Sequence, residues 1–265
     1  MASRTRTTRK RASKKPLAEY RRKRDFEKTA EPAGGTVAAR SKRALHFVIQ
    51  KHAASHLHFD FRLELDGVMK SWAVPKGPSY DPAVKRLAME VEDHPIEYNT
   101  FEGTIPKGQY GGGTVMLWDR GTYEPEAGGG EDALRDGYER GDLKFVMHGK
   151  RLRGGWVLVR MRRNESGRAQ WLLIKHRDET ADESYDVTAE ATTSVVSGRT
   201  MEEIAERRGR VWNSNRASDE DDEPPRRRKP TAAKSAARRK PAKTSAKTKA
   251  KSTKKKATRA TKSRA

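Results

Sequence analysis

Hydrophobic and polar positions alternate strictly between Leu57 and Leu65. Leu57, Phe59, Phe61, Leu63 and Leu65 share one parity; His58, Asp60, Arg62 and Glu64 share the other. Successive side chains of a strand point to opposite faces, so this pattern predicts a strand with one apolar wall and one face of imidazole, carboxylate and guanidinium groups. With its lead-in the strand covers 56–65. Other apolar or alternating runs, bounded by Gly and Pro, predict strands over 44–50, 68–74, 86–92, 113–119, 142–148, 155–162 and 170–176. About eight short strands with turn signals between them argue for a mainly β fold, an antiparallel barrel or a sandwich. Helix is minor. Residues 131–140 predict one short helix, and Thr200-Met-Glu-Glu203 has the spacing of a capping box that starts another, through about Arg208. Leu17, Tyr20 and Phe26 would anchor residues 17–28 as a short helix or a strap against the body.

Composition narrows the class. At 265 residues the chain has room for one well-buried domain with extensions. It contains no Cys, which excludes disulfides, thiolate zinc sites and Cys nucleophiles. No apolar run approaches the ~20 residues that span a bilayer, and no apolar segment follows the basic N-terminus as it would in a signal peptide. The expectation is a soluble protein of the cytoplasm, associated with the nucleoid and not with a membrane.

Charge changes the picture once it is divided. Residues 1–43 carry 15 basic and 4 acidic residues (+11), residues 226–265 carry 18 and none (+18), and residues 44–225 carry 25 and 32 (−7), which together make +22. A mildly acidic body therefore stands between two cationic arms. Residues 1–16 are expected to be a disordered basic arm, 17–212 the folded domain, and 213–225 an acidic linker. Residues 226–265 are expected to be a disordered Lys/Ala/Pro-rich tail that tethers the protein to DNA phosphates, with affinity falling steeply with salt. A tail that serves solubility alone is the simpler alternative.

The polar face of the alternating stretch carries the candidate chemistry. His58 and Asp60 stand two residues apart on it, close enough to share a cation, and His52 could fold over from one short turn upstream as a third ligand. Two His and a carboxylate suit zinc, manganese or iron(II) and leave coordination positions open. Arg62, next along the face, would give a bidentate donor to a bound phosphate or carboxylate. The simpler reading is a set of surface histidines that bind nothing. Against it, His46, His52, His56 and His58 crowd into thirteen positions with Asp60 and Arg62 directly after. Elsewhere, Pro75-Lys76-Gly77-Pro78 holds a Lys at a rigid turn. Arg86 and Glu92 share a strand parity, with His94 just past the strand end. The Gly-rich stretch 101–113 lacks the order of a phosphate-binding loop and leads into a strand, so it predicts a tight hairpin. Glu64-Leu-Asp66-Gly67 echoes the Lys-x-Asp-Gly motif of nucleotidyl-transferring ligases, but without the Lys there is no covalent nucleotidyl intermediate.

Taken together, these motifs resemble the 3′-phosphoesterase module of bacterial DNA ligase D. The resemblance covers about residues 17–180 and rests on Lys-Arg-Asp25-Phe, Thr-Ala-Glu31-Pro, Phe-Val-Ile-Gln-Lys-His52, His56-Leu-His58-Phe-Asp60-Phe-Arg62, Ser-Trp-Ala-Val-Pro-Lys76-Gly-Pro, Lys-Arg86-Leu-Ala-Met, Val-Glu92-Asp-His94-Pro and Phe-Glu-Gly-Thr-Ile-Pro-Lys-Gly-Gln-Tyr-Gly. It implies a compact antiparallel β-barrel enzyme, manganese-dependent with other divalent transition metals as alternatives, that heals DNA 3′ ends during end joining. Removal of a 3′-ribonucleoside and then of the 3′-phosphate would leave a 3′-hydroxyl. It implies metal ligation by His52, His58 and Asp60, and phosphate contacts from Arg62 and His94, with Arg24, Lys76, Arg86 and Tyr98 around them. Arg62, His94, Asp25, Glu31 and Glu92 are the implied catalytic set; His56 is expected to be structural. A protonated His94 is an alternative proton donor to the leaving oxygen. The expected partners are primer-template DNA ends, with a separate ligase or polymerase and Ku as candidates. The chain reads as a free-standing member, since no polymerase or ligase domain follows and the tail is not part of the module. Two rivals remain: a non-enzymatic chromatin-binding protein with the barrel as a spacer, and a cupin-like oxygenase.

Overall fold

In the computed structural model, residues 17–35, 44–162 and 169–206 are described. The expected arms 1–16 and 226–265, the linker 213–225 and the last two residues of the helix expected to reach Arg208 lie outside them. Nine antiparallel strands run in the order β1 (Leu45–Ala53), β2 (Leu57–Leu65), β3 (Val68–Val74), β4 (Arg86–Glu90), β5 (Gly103–Ile105), β6 (Gly113–Pro125), β7 (Asp142–Gly149), β8 (Arg153–Arg160) and β9 (Gln170–Lys175). Eight of them close a ring, β1-β2-β3-β4-β9-β8-β7-β6 and back to β1, and β5 attaches to β6 outside it. The fold is therefore the barrel and not the sandwich. β5 is the strand the sequence pattern does not reveal; with β6 it forms the hairpin expected over 101–113.

Local chemistry sets the joints. Asp66 and Gly67 both have positive φ (53° and 74°) between the paired residues Leu65 and Val68, a two-residue turn of the kind whose twist matches that of antiparallel strands. The ligase-like Asp-Gly is thus a hairpin turn, and Arg135 grips its Asp66 carboxylate at 2.6 Å. Among the described residues four short helices lie on the barrel: α1 (Ala18–Arg22), α2 (Gly130–Arg140), α3 (Val187–Glu190) and α4 (Met201–Glu206). The capping box at α4 forms: the Thr200 N–H donates to Glu203 Oε2 (2.9 Å), and the Glu203 N–H donates to Thr200 Oγ1 (3.3 Å).

All eight ring strands send side chains to one apolar core, among them Phe47, Phe61, Trp72, Ala88, Trp118, Phe145, Trp156 and Trp171. Each large side chain so buried contributes roughly 1.5–3 kcal/mol. Residues 181–206 add no strand to the ring but pack Val187 and Ile204 onto this core. A second apolar cluster, separate from that core, draws on β3, β5 and β6. It comprises Leu17, Tyr20, Val68, Tyr98, Phe101, Ile105 and Val115, and it joins the N-terminal segment to the 3₁₀ turn Ile96–Thr100. The strap expected over 17–28 from Leu17, Tyr20 and Phe26 forms, opens with α1, and continues through residue 35. Beneath it, β2 is buried on both faces: Phe59, Phe61, Leu63 and Leu65 inside the barrel, and Asp60, Arg62 and Glu64 outside it at only 7, 3 and 3% exposure. Leu57, past the end of the core, is exposed.

Candidate active site

Register builds the centre of the site. In the β1–β2 pairing His52 stands opposite His58, Gln50 opposite Asp60, and Val48 opposite Arg62. His52 therefore arrives from the neighbouring strand and not by folding over from a turn, because β1 runs on to Ala53 before the hairpin. The Asp60 carboxylate lies 3.4 Å from His52 Nδ1, 3.6 Å from His58 Nε2 and 3.1 Å from Arg62 Nη2. One donor atom from each of His52, His58 and Asp60 lies within 4.8 Å of the other two.

The tautomers of both histidines are set from behind. His52 Nε2 faces the Gly111 carbonyl (2.9 Å) and His58 Nδ1 faces the His56 carbonyl (2.9 Å). A carbonyl only accepts, so each of these nitrogens carries a proton, and the other ring nitrogen, on the Asp60 side, is the one placed to ligate a metal. His56 thus contributes its backbone; its side chain is exposed. Burial opposes ionisation of Asp60, but Arg62 and the two imidazoles outweigh it and hold the carboxyl far below the usual range. Two imidazole nitrogens and a carboxylate, with the far ring nitrogens tied to carbonyls, form a donor set that suits a divalent transition metal.

Arg62 is held flat by its neighbours. Its Nε donates to Gln50 Oε1 (2.9 Å), its Nη2 meets Asp60, and its guanidinium lies 4.8 Å from the Tyr98 ring centroid. Nη1 is buried with no partner among the described residues, the state of a donor built for a ligand. Gln50 escaped sequence reasoning. It is wholly buried and also donates to the Phe101 and Tyr98 carbonyls (2.8 and 3.3 Å), so it ties Arg62 to the 3₁₀ turn. Its signal was available, a lone amide on the His52 parity of β1.

The strap completes the wall. Arg24 pairs with Glu31 (2.7 Å) and Glu92 (3.0 Å), and its Nη2 donates to His94 Nε2 (3.1 Å). The Tyr98 hydroxyl donates to Glu31 (2.8 Å), and Lys23 pairs with Glu92 (3.0 Å). His94 gives its Nδ1 proton to the Glu92 carbonyl (2.8 Å). It is therefore neutral, and burial, Arg62 and Arg24 depress its pKa well below the ordinary histidine value. Burial and Glu31 push the Tyr98 hydroxyl well up. A cavity of about 320 Å³ opens between strap and barrel, lined by the triad together with Arg62, Arg24, Glu31, Glu92, His94 and Tyr98.

Three expected site residues stand elsewhere. Asp25 is turned outward onto Lys28 (2.7 Å). Lys76 is exposed on the turn after β3. Arg86 starts β4 opposite Leu173 and acts electrostatically on Asp186 instead. None of the three lines the cavity. Among the described residues no helix is long and apolar enough to cross a membrane.

Comparison with known proteins agrees with this geometry. Residues 50–160, which hold the triad, Arg62, His94 and the Gly-rich hairpin, match the family model of the DNA ligase D 3′-phosphoesterase domain. The multifunctional non-homologous end joining protein LigD of Pseudomonas aeruginosa is 52% identical over 192 residues, 71% of this chain and 22% of the relative. The corresponding DNA repair protein of Mycobacterium tuberculosis is 46% identical over 144 residues, 54% of this chain and 18% of the relative. That of Mycolicibacterium smegmatis is 39% identical over 164 residues, 62% and 21%. The chain spans about a fifth of the length of these curated relatives.

Proposed function

This chain belongs to the DNA ligase D 3′-phosphoesterase domain family, and from that premise and the site's geometry we propose that it hydrolyses phosphoesters at DNA 3′ ends in end-joining repair. The substrates are a 3′-terminal ribonucleoside and then a 3′-phosphate, and the product is a 3′-hydroxyl fit for a ligase. The observation that carries the proposal is the pairing of the His52–His58–Asp60 donor set with the partnerless Nη1 of Arg62. His52 Nδ1, His58 Nε2 and Asp60 would hold a divalent cation, manganese by the family's precedent. Bound there, the cation supplies a Lewis acid for a phosphate oxygen and lowers the pKa of a water.

Charge supports phosphate over oxygen chemistry. Asp60, Glu31 and Glu92 face Lys23, Arg24 and Arg62, so the carboxylates and cations around the cavity cancel. A divalent cation added to that balance leaves the site net positive, which suits a phosphate. Arg62 offers Nη1 to the phosphate, and its fixed plane costs no reorganisation as charge grows on the oxygens. Glu31 and Glu92 hold Arg24, and Arg24 holds the His94 ring. His94 begins without the extra proton that a general acid requires. An entering phosphate dianion offsets Arg62 and Arg24 and raises the basicity of Nε2, so the ring takes a proton only with substrate in place. The cationic arms of the sequence would keep duplex DNA near a body of opposite sign.

The test uses the purified chain on a primer-template ending in a 3′-phosphate, with manganese and with chelator. Metal-dependent release of inorganic phosphate and a ligatable primer are expected. DNA binding indifferent to manganese, with no product, would instead favour the non-enzymatic chromatin-binding reading.

A further inference from the structure

Tyr110 has no part in the proposed chemistry, yet it lines the same cavity at its rim. It is a large aromatic side chain left 41% exposed on a domain whose other aromatic residues are mostly buried. Its position is fixed. It sits in the β5–β6 hairpin, where the Gln109 N–H donates to the Pro106 carbonyl (3.2 Å) and the Gly112 N–H to the Gln109 carbonyl (3.0 Å). The next residue, Gly111, supplies the carbonyl that holds His52 (2.9 Å) and has φ 75°, a conformation open chiefly to glycine. Two strap cations flank the ring, Lys23 at 5.0 Å and Arg24 at 5.2 Å from its centroid, and Lys23 donates to its hydroxyl at 3.4 Å. Those contacts hold the ring in place while the residue stays 41% exposed.

An exposed aromatic ring at the mouth of a phosphoesterase cavity, rigidly tied to a metal-ligand histidine, matches the way nucleic-acid enzymes grip unpaired bases. Base–aromatic stacking is worth roughly 1–3 kcal/mol per base and tolerates every base, because each has a π face. From this we infer that Tyr110 is the stacking platform for the base of the 3′-terminal nucleotide, which places the phosphoester at the triad. The inference rests on the proposed function and names its recognition step. Tyr110 is a positioning residue here, since it touches the base and not the reacting atoms.

The experiment places 2-aminopurine at the 3′ end of a primer-template and follows its fluorescence on titration with the protein in chelator, where no turnover intervenes. Quenching by the native chain and by Tyr110→Phe, lost in Tyr110→Ala and Tyr110→Leu, is the expected result. Quenching that is absent in the native chain, or unchanged in Tyr110→Ala, overturns the inference. In parallel, kcat/KM with manganese is compared for ends with a terminal base and ends with an abasic terminal sugar. The native preference for the base, about 5- to 150-fold at the stacking energies above, should collapse toward one in Tyr110→Ala, through KM and not kcat. A preference that survives in Tyr110→Ala overturns the inference while hydrolysis itself stands. Quenching without hydrolysis of any end keeps the stacking site and removes the phosphoesterase reading.

Discussion

Arg24→Ala is the substitution that best isolates how the strap is held. The Arg24 side chain is 4% exposed, and its partners Glu31 and Glu92 are 0 and 4% exposed. Removing one member of a buried ion pair costs about 3–5 kcal/mol, chiefly because the other charge stays buried. Here the lower end applies: Glu92 keeps Lys23 at 3.0 Å, and Glu31 keeps the Thr29 and Tyr98 hydroxyls at 3.0 and 2.8 Å. About 3 kcal/mol is roughly a 10²-fold rise in strap opening, at 1.4 kcal/mol per tenfold. Leu17, Tyr20 and Tyr98 belong to an apolar cluster separate from the barrel core, so the loss should stay local. Hydrogen exchange read by mass spectrometry should show faster exchange in peptides from residues 17–35, while β7 and β8 remain protected. Arg24→Ala with Glu31→Gln should recover part of the protection, because the stranded carboxylate is then neutral. Uniform acceleration across the barrel, or a double variant no better than the single one, would refute this account.

Further predictions concern the chemistry and its pH range. His58→Ala and Asp60→Ala should each abolish calorimetric manganese binding and phosphate release while the circular dichroism spectrum is kept; normal turnover in either would remove the triad. Arg62→Lys keeps the charge but cannot engage Gln50 and Asp60 while also presenting a donor to the phosphate. Its kcat should fall about 10²-fold or more, with native activity the contrary outcome. Burial works against ionisation of Glu92, yet its backbone bond, Arg24 and Lys23 hold its pKa below the ordinary 4.5. A depressed carboxyl stabilises fully above its unfolded value and loses that contribution as pH falls through the folded one. Strap exchange should therefore accelerate on acidification below about pH 4.5, and Glu92→Gln should flatten the dependence.

How far the sequence disclosed this structure depends on the range of the interaction. Period-two alternation placed β2 and showed both of its faces, because the strand geometry that separates Phe59 from Asp60 is local. The capping box of α4 and the hairpin over 101–113 were legible for the same reason. β5 has three residues between glycine-rich turns and offers no period to detect. Pairing register is not a local property, so the sequence placed His52 near the site without placing it opposite His58. The strap is the extreme case. Arg24 meets Glu92 and His94 across 68 and 70 positions, and only the closed chain brings them together. Resemblance supplied Arg24 and Glu31, where spacing alone could not, and gave a role to His94, which spacing placed only just past a strand end. It also supplied Asp25, Lys76 and Arg86, which the fold keeps away from the cavity.

β2 encodes two things in one stretch, core on one parity and chemistry on the other, so a one-residue slip of register would send Asp60 and Arg62 into the apolar interior. Such a segment has little freedom to vary. The strap pairs with no strand of the ring, so apart from Leu17, Tyr20, Arg24 and Glu31 its sequence can change without disturbing a strand pairing. Divergence in which ends are accepted should therefore accumulate in residues 17–35 and the Tyr110 hairpin, with the barrel left as an unchanging frame. Grafting the strap and hairpin of one relative onto the barrel of another is thus the economical route to an enzyme with altered end preference.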